Sequence, residues 1–205
     1  MAKVLISALG ANAKREYRKA NYLIEENTYE EPFIGVALTK HYKIDKNIII
    51  GTSKSLWEEY YKVYAEYLNK EYDEDFYLHL AEKIEENSIS EEDLTILNKN
   101  LNKTHYGVLI EDGMNNNELM KNFEILMKIT EKLDSGDELY IDITHSFRSI
   151  SLYMFIIMNY LQKLIPLLLL VAELMLLMIL SLPIKMLSSL KVSMNIQMFV
   201  AIMKV

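Results

Sequence analysis

Four short apolar runs rich in β-branched residues constrain this chain more than any other feature. They are KVLISAL (3–9), KNIIIG (46–51), HYGVLIED (105–112) and LYIDIT (139–144). Runs of this length without polar alternation read as strands buried on both faces. Helix-periodic sequence lies between them. PFIGVALTKHY (32–42) has proline at a helix start and apolar residues at helical spacing. From Ser55 to about Asn87 the chain reads as helical, with Leu56, Tyr60, Val63, Tyr64 and Tyr67 on one stripe. SISEEDL (88–94) opens another helix, with Ser90 as cap and an acid three residues on. NNNELMKNFEILMKITEKL (115–133) is amphipathic, DSGDE (134–138) is a turn, and SFRSISLYMFIIMNYLQK (146–163) is apolar on most sides, the pattern of a buried helix. EYRKANYLI and NTYEEPF read as a hairpin about Glu26 and Asn27. Strands alternating with helices predict an α/β fold, a Rossmann-like and mainly parallel sheet flanked by helices. Ligands in such sheets sit beyond the carboxyl ends of the strands, near the point where strand order reverses.

Composition narrows the function classes. With 205 residues the chain is long enough for one sizeable core. It has no cysteine, which excludes disulfides and thiolate-bound zinc. Its four histidines (41, 79, 105 and 145) lack metal-site spacing, and neither a metal nor a cofactor is expected. A net charge of −7 argues against a nucleic-acid-coating surface, so direct DNA binding is not expected; a small basic pocket remains compatible with it. MAKVLISALG turns polar too quickly for a signal peptide, making the cytoplasm the default location.

The composition breaks near Lys163. All 14 tyrosines and all 6 glycines precede it; beyond it Glu173 is the one acid, with Lys185, Lys191 and Lys204 as bases. Residues 1–163 therefore read as the folded domain and 164–205 as an atypical apolar tail. Three readings of the tail stand open. LIPLLLLVAELMLLMILSLPI (164–184) is long enough to span a bilayer, although it holds two prolines and a glutamate. A strand and a helix completing the sheet is the second reading, and a frameshifted or truncated remnant is the third. Membrane association is expected only if the tail is genuine.

Three strand ends carry the polar chemistry: SALGANAK, GTSKSLW and DITHSFR. Backbone N–H groups at helix starts, together with serine and threonine hydroxyls, make an anion pocket with little basic charge. In GTSKS (51–55), Gly51 permits close approach, Thr52, Ser53 and Ser55 offer hydroxyls, and Lys54 is a mobile cation. Trp57 suits either the core or a stacking platform for a base. Asp142 suits a structural task within its loop. His145 and Arg148 suit either helix capping and ion pairing or a ligand. Neither GxGxxG nor GxxxxGK[ST] occurs.

LISALG, GTSKSLW and DITHSFR, in this order, resemble the CRISPR-associated Csx1/Csx2-type proteins of the TM1812-like group over about residues 1–163. The resemblance implies a sensor domain of the CARF class, forming a homodimer that binds cyclic oligoadenylate across its two-fold axis. Carried over by motif, Ser7, Leu9 and Gly10 line the groove from the first strand. Gly51, Thr52 and Ser53 contact phosphate or ribose from the second. Thr144, His145, Ser146 and Arg148 line it from the fourth, while Phe147 and Asp142 hold that turn in shape. Such proteins usually continue into a helical ribonuclease with an Arg-x4-6-His motif. Here no histidine follows His145, so that activity is not expected of this sequence. Rival readings are a ring nuclease using His145 as base and Arg148 as charge stabiliser, a membrane-associated sensor, and an unrelated nucleotide-binding enzyme on the same fold.

Overall fold

The β-branched runs form the strands of a central sheet in a computed structural model that describes residues 2–11, 19–102, 104–134, 136–142, 144, 150–157, 159 and 196–199. In chain order come β1 (Lys3–Ala8), β2 (Ala20–Ile24), β3 (Asn27–Glu31), α1 (Ile34–Tyr42), β4 (Lys46–Gly51), α2 (Trp57–Tyr67), α3 (Glu74–Glu85), α4 (Glu91–Asn100), β5 (His105–Leu109), α5 (Asn116–Ile129) and β6 (Glu138–Asp142). Residues 150–157 are helical. The strands β5-β4-β1-β6 lie side by side in that order, all parallel. From the apolar tail, β7 (Ile196–Phe199) pairs parallel with β6. The remainder of 160–205 lies outside the described residues, and with it the open readings of the tail. Among the described residues, no helix is long and apolar enough to cross a membrane.

Register divides the strand residues between two faces. Val4, Ile6, Ile48, Ile50, Leu139 and Ile141 point to one side, where they pack with Leu126 and Ile129 of α5 and with Ile150, Met154 and Ile157. The other face is covered by two clusters. One joins Leu9 and Ile49 to Trp57, Tyr60, Tyr64, Leu80 and Leu97 from α2, α3 and α4. The other joins Leu5 and Tyr140 to Ile34 and Leu38 of α1 and to Tyr22 and Ile24 of the β2–β3 hairpin. Both faces of a parallel sheet are thus covered, which is why its strands read as unbroken apolar runs.

Local signals placed one boundary as expected and a second within a residue. Ser90 caps α4, accepting from the Asp93 amide while the Asp93 carboxylate accepts from the Ser90 amide. The hairpin turns at Glu25–Glu26, one residue ahead of the expected pair, with Glu25 in the left-handed region (φ 53°).

Two expectations are corrected. The stretch read as helical from Ser55 to Asn87 is broken into two helices. Asn69 takes φ 54° just past the end of α2, and Asp73 starts α3 by accepting from the Phe76 amide. The Asp73 amide donates to the Tyr61 hydroxyl, which folds α3 back against α2. The segment read as buried on most sides also exposes a face: Leu152, Phe155 and Ile156 are 57%, 50% and 43% exposed.

Candidate ligand site at the strand ends

Strand order reverses at β1: the chain adds β4 and then β5 on one side of it, and returns to place β6 on the other. Both neighbours are tied to the carboxyl end of β1 by buried side chains. On the β4 side, the Ser55 hydroxyl donates to the Leu9 carbonyl (2.9 Å) and accepts from the Thr52 amide (3.0 Å). The Leu9 amide donates to the Ile50 carbonyl, and the Leu56 amide to that of Gly10. On the β6 side, the Ser7 hydroxyl donates to Asp142 Oδ2 at 2.6 Å. Asp142 Oδ1 accepts from both the amide (2.9 Å) and the hydroxyl (2.6 Å) of Thr144. Asp142 is 2% exposed, so these bonds satisfy a charge that would otherwise be costly to bury. They also close the turn that leaves β6, an Asx-type arrangement.

The anticipated site residues fall into distinct environments. Gly10 is half-buried, and among the described residues a Cβ built on it meets nothing within 4 Å, which leaves open space beside it. Thr144 is also half-buried. Ser7, Leu9 and Thr52 are buried. Gly51 ends β4, where a Cβ would lie 2.6 Å from the Trp57 ring and 2.8 Å from Ser55. Close packing of that ring and serine, rather than approach to a ligand, is what requires glycine there. Trp57 is wholly buried, and its ring N–H donates to the Thr52 carbonyl (2.8 Å); it belongs to the core. Ser53 lines a hollow of about 400 Å³ at the ends of β4 and β5, together with Glu91, Glu111, Asp112 and Glu118. Lys54 is drawn to the same side by an ion pair with Asp112, and Lys121 pairs there with Glu111. His145, Ser146, Phe147 and Arg148 lie outside the described residues.

The carboxyl edge of the sheet therefore has two halves. The β4–β5 half gathers carboxylates, which disfavour an anion. The β1–β6 half, at the reversal point, offers the open space beside Gly10 and the exposed part of Thr144. Sequence reasoning passed over Ser55 as one hydroxyl among several and did not find the partner of Asp142. The visible signals were a carboxylate in an otherwise apolar strand and a serine at a strand end. Their pairing depends on strand order. Among the described residues no group of three or more His, Asp or Glu side chains is placed to hold a metal ion.

Comparison with known proteins fits this geometry. The family model described as the CARF domain of the CRISPR system endoribonuclease Csx1 matches residues 4–172. The chain belongs to the Csx1 CARF family. The CRISPR-associated protein MJ1674 of Methanocaldococcus jannaschii is 34% identical over 186 residues, covering 79% of this chain and 29% of the relative. The chain thus spans less than a third of that relative's length. The CARF match runs past Lys163, the point of compositional change, as far as Ala172. It includes all three strand-end motifs and the β1–β6 tie that joins two of them.

Proposed function

We propose that this chain is the sensor module of a CRISPR defence system, and that it binds cyclic oligoadenylate beyond the ends of β1, β4 and β6. One observation carries the reading. In a CARF-family chain, three strand ends distant in sequence are joined at the point where strand order reverses, through Ser55 on one side and Ser7–Asp142 on the other. That is where α/β sheets accept nucleotide-like ligands. Gly10 and Thr144 border the ligand, and His145, Ser146 and Arg148, which follow Thr144 in sequence, contact it. Two copies share the ring across a two-fold axis, so ligand binding alters the geometry between protomers.

Cyclic tri-, tetra- and hexa-adenylate, each offered in a thermal-shift assay, test the reading. The ring that binds raises the melting temperature by about 5–10 °C at a hundredfold excess over its dissociation constant. Gly10→Leu fills the open space beside β1, abolishing the shift while keeping the ligand-free melting temperature. Arg148→Ala weakens binding by about 1.5–3 kcal/mol through loss of a charge-assisted hydrogen bond. No shift with any of the three rings refutes the proposal. Light scattering that finds only monomer with a saturating ring refutes the shared groove.

A further inference from the structure

We infer that Thr144 recognises a hydrogen-bond donor on the ligand, either a sugar hydroxyl or an exocyclic amine, and not a phosphate oxygen. The inference rests on the functional reading above and specifies the chemistry of one wall of that site. A threonine hydroxyl has one hydrogen and two lone pairs. The hydrogen of Thr144 is committed to Asp142 Oδ1 at 2.6 Å, and the Thr144 amide is committed to the same oxygen at 2.9 Å. What Thr144 Oγ1 retains is acceptor capacity. Ser7, the other hydroxyl bound to Asp142 among the described residues, points its hydrogen at Oδ2 and is 2% exposed.

Charge points the same way as hydrogen-bond polarity. The Asp142 carboxylate lies directly behind the Thr144 hydroxyl in a buried setting, where like charges repel more strongly than in water. A phosphate oxygen at Thr144 would meet a lone pair backed by a negative charge. An O–H or N–H donor there would meet an acceptor made stronger by the bond it already gives to the carboxylate. The end of β6 therefore sorts ligand atoms. It takes the neutral donor edge of a nucleotide and turns its phosphates away.

The test measures affinity for the ring that the wild type binds, for its 2′-deoxy counterpart and for its N6-dimethyl counterpart. Wild type, Thr144→Val and Thr144→Ser are compared. The valine variant should lose roughly 5–20-fold on the parent ring, while serine stays within about threefold. On the analogue that lacks the recognised donor, wild type and the valine variant should bind alike. The 2′-deoxy arm identifies a sugar hydroxyl as the donor, and the N6-dimethyl arm identifies an amine. The salt dependence of binding should be the same for wild type and valine, because no phosphate contact is lost. Thr144→Ala, which keeps the amide bond to Asp142, replaces valine if the valine variant does not fold. Equal losses on all three ligands, no loss on any, or a shallower salt slope in the variant overturns the inference and leaves the sensor reading standing. If the wild type binds none of the rings, the sensor reading fails and this inference fails with it.

Discussion

Beneath α5 and the helical stretch 150–157, the buried strand residues are all aliphatic: Val4, Ile6, Ile48, Ile50, Leu139 and Ile141. The opposite face, under α1, α2 and α4, carries Ser7, Asn47, His105 and Asp142 on four adjacent strands, all buried. Thr39 and Tyr64 stand over that polar row. The Thr39 hydroxyl lies 2.6 Å from the Gly35 carbonyl, 3.2 Å from Asn47 Oδ1 and 3.5 Å from the Tyr64 hydroxyl. Three side-chain atoms near this row, Asn47 Nδ2, Tyr60 OH and His105 Nε2, are buried without a protein hydrogen-bond partner among the described residues. Burying polar groups in this way costs stability that the hydrocarbon face does not have to offset on its own side. In return, the polar face specifies register. A one-residue slip of β1 would turn Ser7 into the apolar cluster and separate it from Asp142. One face mainly supplies cohesion, while the other aligns the strand ends that form the site.

The contrast can be broken by substitution, and the largest effect belongs to the apolar face. Ile48 is wholly buried at the sheet centre, so Ile48→Ala should cost about 2–5 kcal/mol in chemical denaturation, through lost transfer energy and a residual cavity. A loss below 1 kcal/mol would show that this face repacks and that cohesion lies elsewhere.

The next effect belongs to the polar face and depends on pH. Burial pushes His105 down to about 4 in the folded protein, against an ordinary value of about 6.5. Between those values the unfolded chain takes up a proton that the folded chain refuses. The stability present above pH 6.5 should therefore fall as pH drops towards 4, by up to about 3 kcal/mol, and then level off. Denaturation curves at pH 7 and pH 4.5 should show that loss in the wild type and a smaller one in His105→Gln. Equal losses in the two proteins would assign the acid sensitivity to other groups.

Ser7→Ala removes one charge-assisted bond to the buried Asp142 and should cost about 1.5–3 kcal/mol. It should also weaken ligand binding, because the ends of β1 and β6 lose their tie. Stability that falls while affinity holds would confine Ser7 to the fold. The smallest effect lies away from both faces. Ser90→Ala deletes the α4 cap and should cost about 1 kcal/mol without altering ligand affinity. An affinity change there would mean that α4 is coupled to the strand ends.

What was legible in the sequence follows from how locally each feature is specified. Apolar runs at Lys3–Ala8, Lys46–Gly51, His105–Leu109 and Glu138–Asp142 marked the strands, because burial on both faces leaves no polar alternation. The Ser90 box was readable because its two partners are three residues apart. The break between α2 and α3 was not, since it contains neither glycine nor proline. It relies on Asn69 in a left-handed conformation and on Tyr61 reaching the Asp73 amide. The β5 end was read three residues too long because Ile110, buried just past the strand, continues its apolar run.

The sequence by itself determined the alternation of strands and helices, the caps, the hydroxyl-rich strand ends and the family to which they belong. All of these are set by neighbours a few residues apart. Tertiary structure alone decided that Gly51 makes room for Trp57, that Asp112 draws Lys54 to the acidic half, and that Ser7 meets Asp142 across 135 positions of chain. Strand order sets those meetings. It is chosen by the burial of whole faces and the handedness of crossovers, which no short stretch of residues records.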